Sequence, residues 1–290
     1  MRLGRKQHLL LVAGITVLAV MFSAAWWIGE RLAEPQPHSV GAPPADLDAR
    51  AVTLLTERGS KVSGWLIPGS GDRAVLLMHG SGGDRRSMLG RARFLKEAGY
   101  ATLTIDLQAN GESPGEHATE GYLESFDAHA AVTYLRSRAG ARRVAVIGFS
   151  LGGAAALLGP EGPVNADALV LEAVYPTIEE AIANRIRIHL GAWSGWLYPL
   201  LTWQLGPRLG LSAADLRPID RIGAVHAPVF VIGGGADRHT TPEETRRLFA
   251  AARPPKKLWI VPGAVHGDFY AASPKEYRRR LLAFLRAALG

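Results

Sequence analysis

The sequence contains no cysteine among its 290 residues. That absence excludes disulfides, thiolate nucleophiles, cysteine zinc sites and lipidation at a cysteine, and it makes the chain indifferent to redox compartment. No H-x-H, H-E-x-x-H or clustered-carboxylate pattern occurs, so no metal site is expected. The glycine-rich turns lack both the P-loop lysine and the G-x-G-x-x-G spacing, so no nucleotide or other cofactor is expected either. Internal repeats are absent. The net charge of +7 and pI of about 9.9 would suit an anionic partner, but the basic residues are spread out. The densest cluster, Arg278-Arg279-Arg280, lies where Tyr277, Leu281, Phe284 and Leu285 keep helical spacing, which marks the solvated face of a terminal helix. With no recognition motif beside the charge, no nucleic-acid partner is expected.

Charge is also missing from Leu9 to Gly29, a run long enough for a helix to cross a hydrocarbon core of about 30 Å. Arg2, Arg5 and Lys6 precede it and Trp26-Trp27 close it. This pattern predicts a single-pass membrane protein with a cytoplasmic N-terminus and the bulk of the chain outside the cytoplasm. The competing expectation is a signal peptide cleaved near Ser23-Ala24-Ala25, leaving a secreted or periplasmic protein. A buried core helix is disfavoured, because the helix would be apolar all round at the extreme terminus. The expected organisation is a membrane anchor over 1–33, a Pro-rich extended linker over 34–49, and one folded domain over 50–290.

Within that domain short β-like runs alternate with longer helical patterns. Eight strands are expected: 51–56, 61–67, 74–78, 101–105, 144–147, 168–171, 229–232 and 258–261. Several, such as Ala74-Val75-Leu76-Leu77-Met78 and Val229-Phe230-Val231-Ile232, are continuously apolar, as parallel strands covered on both faces must be. The fold class is α/β, a mostly parallel doubly wound sheet whose chemistry belongs in the loops after the carboxyl ends of strands.

Four motifs fall at such places. Gly148-Phe149-Ser150-Leu151-Gly152-Gly153 joins a strand to a helix that begins with three alanines. A serine nucleophile on a sharp turn needs glycine on both sides, because the crossing backbones leave no room for side chains. His79-Gly80-Ser81-Gly82-Gly83 follows the strand ending at Met78 and suits an oxyanion loop, with the backbone amides of Leu151 and Ser81 as the two donors. His79 itself opens the loop and reads as structural. After Ile232, Asp237 stands free to orient a histidine, since Thr241, Pro242 and Glu244 form a capping box of their own. Finally His266 follows the last strand and is the candidate base. His226 lies at the wrong end of the sheet, and His239 falls by the cap region. The chain order serine, acid, histidine matches one of the known triad orders.

These residues resemble an α/β-hydrolase of the broad serine aminopeptidase-like and dienelactone hydrolase-like groups, from about Arg50 to Gly290. The resemblance rests on His79 to Gly83, Asp106 with Gly111-Glu112-Ser113, Gly148 to Gly152, Asp237 and His266. It implies the α/β-hydrolase fold and a Ser150, Asp237, His266 triad, with Glu172 as the alternative acid, since some relatives place the acid after the sixth strand. Family members usually show Asp-x-Arg-Gly-x-Gly-x-Ser after the fourth strand, whereas Asp106 to Ser113 lacks the arginine and first glycine, a departure that bears on loop packing. The dienelactone enzymes use cysteine, so that activity is not implied.

A segment over about 176–218 sits at the lid position and is rich in large apolar groups, among them Ile186, Trp193, Trp196, Leu200 and Trp203. It can line an acyl pocket, rest on a membrane interface, or be core. The expected function is hydrolysis of a carboxylic ester of a small-molecule or lipid-like acyl substrate through an acyl-enzyme. Amide hydrolysis or acyl transfer with the same triad remains open, as does a non-catalytic tethered module.

Overall fold

The computed structural model describes residues 4–290. Eight strands form one sheet: β1 (Arg50–Leu55), β2 (Lys61–Ile67), β3 (Arg73–Met78), β4 (Ala101–Ile105), β5 (Arg143–Phe149), β6 (Ala168–Glu172), β7 (Val229–Gly234) and β8 (Lys256–Val261). Their order is β8-β7-β6-β5-β3-β4-β2-β1. β1–β2 and β2–β4 are antiparallel pairs and every other pairing is parallel. The strands β3, β5 and β6 run centrally and have almost no exposed side chain. This is why they read as continuous apolar runs rather than as alternating ones.

Pleating splits those runs between two cores. Leu76 and Met78 of β3 and Val144 and Val146 of β5 point to one side, where α3 (Glu124–Ser137) packs Ala128, Ala131 and Leu135. Val75, Leu77, Ala145 and Ile147 point to the other, against α2 (Leu89–Glu97) and the C-terminal helix Pro274–Leu289 through Phe94, Tyr277 and Leu285. The terminal helix thus buries the stripe expected of it while Arg278 and Arg279 pair with Glu97 and Glu276 at the surface. At the N-terminus α1 (Arg5–Ala33) is a single helix with mean hydropathy 2.3 over its most apolar window, almost wholly uncovered by protein. Its length and composition suffice to cross a membrane, a test that a signal sequence also passes. Residues 34–49 then run along the domain: Gln36–Pro37 pairs with Asn110–Gly111, Val40 N–H donates to Glu112, and Leu47 is buried.

The carboxylate that begins the loop after β4 finds its partners on either side of it in the chain. Asp106 is completely buried, and its carboxylate accepts from the Arg85 backbone N–H at 2.7 Å, from the Arg85 guanidinium at 2.5 Å and from the Glu112 N–H at 2.9 Å. Arg85 also pairs with Glu112 and lies over the Trp65 ring at 4.7 Å. A guanidinium from the β3 loop thus partners the carboxylate that begins the β4 loop. Removing one partner of a buried pair strands the other charge, at a cost of about 3–5 kcal/mol. Arg85→Met is therefore expected to lower the unfolding free energy by about that amount, as read by urea denaturation at neutral pH. A loss below about 1 kcal/mol would show that Asp106 finds compensation without it.

Candidate active site

The turn after β5 carries Ser150 into a backbone conformation that side chains rarely adopt, φ +49° and ψ −110°. Such conformations cost about 1–3 kcal/mol and persist only where the surroundings enforce them. Here they do. The Ser150 N–H donates to the Glu172 carbonyl at 2.7 Å, and the Gly152 N–H donates to the His79 carbonyl at 3.1 Å. A Cβ at Gly148 would stand 2.5 Å from the Gly152 carbonyl carbon, and one at Gly152 would stand 2.7 Å from the Met78 carbonyl oxygen. Both glycines are thus required by backbone crossing. The following helix is α4 (Leu151–Ala155), and Ala154, Ala155 and Ala156 are all buried.

Ser150, Asp237 and His266, called from three separate motifs, meet in space. His266 Nε2 lies 3.3 Å from Ser150 Oγ, and His266 Nδ1 lies 2.8 Å from Asp237 Oδ2. The other Asp237 oxygen accepts from the backbone N–H groups of His239 at 2.8 Å and Thr240 at 2.9 Å. Those two donors fix the carboxylate while its second oxygen faces the imidazole. Thr241 caps the helix Pro242–Ala251 in a reciprocal box with Glu244, so the cap and the site use different side chains.

Glu172, the alternative acid, is completely buried but turned elsewhere. Its carboxylate meets the Arg91 guanidinium at 2.6 Å and accepts from the Tyr277 hydroxyl. Arg91, itself buried, reaches Asp268 at 2.8 Å, two residues beyond His266. This Arg91 link was not singled out from the sequence. The signal that could have found it is an arginine on the apolar stripe of α2, in register with Met88, Ala92 and Leu95.

The loop His79 to Gly83 lies directly against the serine. A Cβ at Gly80 would come within 3.4 Å of Ser150 Cβ. Neither the Leu151 nor the Ser81 backbone N–H donates to another group among the described residues, which leaves both available to a bound oxyanion. His79 is buried and spends both ring nitrogens on the backbone: Leu107 N–H donates to Nε2 at 3.0 Å, and Nδ1 faces the Gly80 carbonyl at 2.8 Å. His239 stacks against the His266 ring at 5.0 Å. Burial lowers its pKa, and the neighbouring His266 and Arg185 lower it further. His226 is exposed ahead of β7, at the other end of the sheet. Among the described residues no cluster of His, Asp and Glu could hold a metal ion.

A model of the family described as serine aminopeptidase, S33, matches residues 69–216. The chain belongs to this α/β-hydrolase family. It is 33% identical to an uncharacterized protein of Mycobacterium tuberculosis over 92% of this chain and 91% of the relative. It is 24% identical to the uncharacterized protein YqkD of Bacillus subtilis, over 86% and 83% of the two chains. The solved structure of an esterase from Pyrococcus furiosus superposes with a TM-score of 0.72 at 25% identity, covering 89% of this chain and all of that one. Family and neighbours together support hydrolytic chemistry on a small-molecule substrate.

Burial lowers the His79 pKa below the ordinary histidine value. Between that lowered value and about 6.5 the unfolded chain binds a proton that the folded one does not. The His79 contribution to stability is therefore whole above about pH 6.5 and falls as the pH drops below it. In a histidine NMR titration the His79 ring is expected to stay neutral, with its proton on Nδ1, after exposed histidines have titrated. A His79 ring charged at the ordinary histidine pKa would refute this assignment.

Proposed function

We propose that the chain is a serine esterase held at a membrane by α1. The observation that carries the reading is the hydrogen-bonded line from Asp237 through His266 to Ser150, beside two unused backbone donors. In this mechanism His266 takes the Ser150 proton as Oγ attacks the acyl carbon, and Asp237 stabilises the imidazolium and fixes its tautomer. The Leu151 and Ser81 amides hold the oxyanion of the tetrahedral intermediate. That intermediate collapses as His266 passes its proton to the departing alcohol, leaving acyl-Ser150. Water, deprotonated by His266, then attacks the acyl carbon. A second tetrahedral intermediate collapses to release the carboxylic acid and return the proton to Oγ.

The substrate is read as an ester with an apolar acyl part, from the apolar composition of the segment over 176–218. Family and structural neighbours divide on the leaving group, one being described by aminopeptidase action and the other as an esterase. Full-length protein in detergent, assayed on p-nitrophenyl esters of increasing chain length and on aminoacyl p-nitroanilides, separates the two. Ester turnover is expected to exceed anilide turnover at every chain length and to be abolished by Ser150→Ala. Asp237→Asn is expected to lower kcat by roughly 10⁴-fold, as loss of the correct tautomer does in serine triads. Turnover unchanged in Ser150→Ala would overturn the nucleophile assignment.

The reading places α1 across the bilayer with Arg5 and Lys6 on the cytoplasmic side and residues 50–290 outside. The protein is expected to remain in the membrane pellet after alkaline carbonate washing, with an intact mass that retains residues 1–25. Release into the supernatant with loss of the residues up to Ala25 would replace the anchor by a cleaved signal peptide.

A further inference from the structure

The end of α1 is not a free stalk. Its only buried side chains among the described residues are Ala25 and Ala33, and with Gly29 they form a stripe at four-residue spacing along one face. Against that face lies the lid, whose helices here include Pro199–Thr202 and Leu205–Leu209. Gln204, only 2% exposed, donates to the Ala25 carbonyl at 2.9 Å and to the Leu200 carbonyl at 2.8 Å. A Cβ at Gly29 would stand 2.3 Å from the Gln204 amide oxygen. Arg208 donates to the Trp26 carbonyl at 2.9 Å, pairs with Glu30 and covers the Trp26 ring. Trp203 stacks on Phe22 and Trp26, with ring centroids 6.0 and 5.9 Å apart.

These contacts set the height of the lid. The uncharged run Leu9–Gly29 measures about 30 Å at 1.5 Å per residue, which equals the hydrocarbon thickness and leaves no slack. Phe22 then lies about 10 Å, and Trp26 about 5 Å, inside the outer boundary of the hydrocarbon. A Trp203 ring stacked on both sits at or below that boundary. From the same lid Trp193 projects 71% exposed, Trp196 65% and Leu190 58%. Tryptophans at the boundary between hydrocarbon and headgroups are the residues an interface favours.

Resting on the membrane-anchor reading above, we propose that the lid is itself a membrane-bound element, docked through Gln204 and Arg208 on the Ala25–Gly29–Ala33 face of α1 so that Trp193, Trp196 and Trp203 lie in the outer leaflet of a lipid bilayer. At the seam the Gln204 amide and the terminal nitrogens of Arg208 find partners within the protein, as polar groups near hydrocarbon must, while Arg208 Nε has none among the described residues. The lid also reaches the site. Asn184 of the lid helix Ile178–Leu190 donates to the His239 carbonyl at 3.1 Å, and His239 stacks on His266. A lid held in the leaflet thus places the Ser150 site at the bilayer surface, where an acyl ester need not leave the lipid phase.

The cysteine-free sequence makes the test direct. Full-length Ile15→Cys, Trp196→Cys and Lys257→Cys proteins, each carrying one environment-sensitive fluorophore, are reconstituted in phosphatidylcholine vesicles containing nitroxide-labelled lipid. Quenching at positions 15 and 196, with several-fold less at exposed Lys257, is the expected result. Quenching at 15 without quenching at 196 overturns the lid proposal and leaves the anchor standing. A label at 196 shielded from water yet not quenched by lipid overturns it as well, in favour of a protein partner. No quenching at 15 means that the anchor reading has failed, and the lid proposal with it. Adding Gly29→Leu to the Trp196→Cys protein should lower quenching at 196 while the same change leaves quenching at 15 unaltered. Unchanged quenching at 196 would show that the docking does not set the depth.

Discussion

The backbone crossing at Gly148 and Gly152 is the constraint from which the rest of the site follows. Because the β5 end and the start of α4 touch each other and the β3 loop, Ser150 is forced into its strained turn. The strain is held by hydrogen bonds to a neighbouring strand and a neighbouring loop, at the Glu172 carbonyl and the His79 carbonyl. Among the described residues that arrangement leaves the Leu151 amide at the head of a helix without a partner, beside a loop whose Ser81 amide also has none. The Ser150 conformation and the free Leu151 amide are one geometric solution, not two.

The same frame separates the carboxylates. Asp237 and Glu172 both stand at strand ends and both are buried, yet their surroundings assign them different work. Two backbone amides hold one oxygen of Asp237 and leave the other for His266. The carboxylate of Glu172 is consumed by Arg91 and Tyr277, and Arg91 extends to Asp268 beside the His266 loop. The buried ionic group thus ties the strand that receives the Ser150 amide to the loop that carries His266, while remaining outside the Asp237–His266–Ser150 line. Arg85 does comparable work around Asp106. Desolvated charges of this kind are tolerable only because each has several partners, and removing one leaves the others exposed to the full desolvation penalty.

At the opposite extreme stands α1, nearly uncovered along its length except where small residues let the lid approach. Alanine and glycine on that face permit backbone-close packing, and glutamine and arginine from the lid use carbonyl oxygens that a bulkier helix would hide. An apolar helix with one such face reads differently from a plain anchor, because its last turns belong to the domain it precedes.

How much of this was legible before folding follows from the range of each interaction. The strands β3 and β7 could be read from uninterrupted apolar runs, because burial on both faces leaves no alternation to hide them. Their ends were less legible: Phe149, Gly233 and Gly234 belong to strands, though an aromatic and two glycines beside turns look like loop. Ser150, the glycines around it, Asp237 with its separate cap, and His266 each carried a local signature, since strained turns and helix caps are decided within a few residues. The sequence by itself therefore determined the sheet, the candidate groups and the apolar N-terminal helix. Tertiary structure alone decided that Asp237 and not Glu172 faces His266, that Arg85 pairs with Asp106, that Arg91 joins Glu172 to Asp268, and that the segment carrying Gln204 and Arg208 rests on α1. Each of these joins side chains from elements far apart in the chain, where only the packed sheet and its connections bring charge to charge, and no local pattern records the pairing.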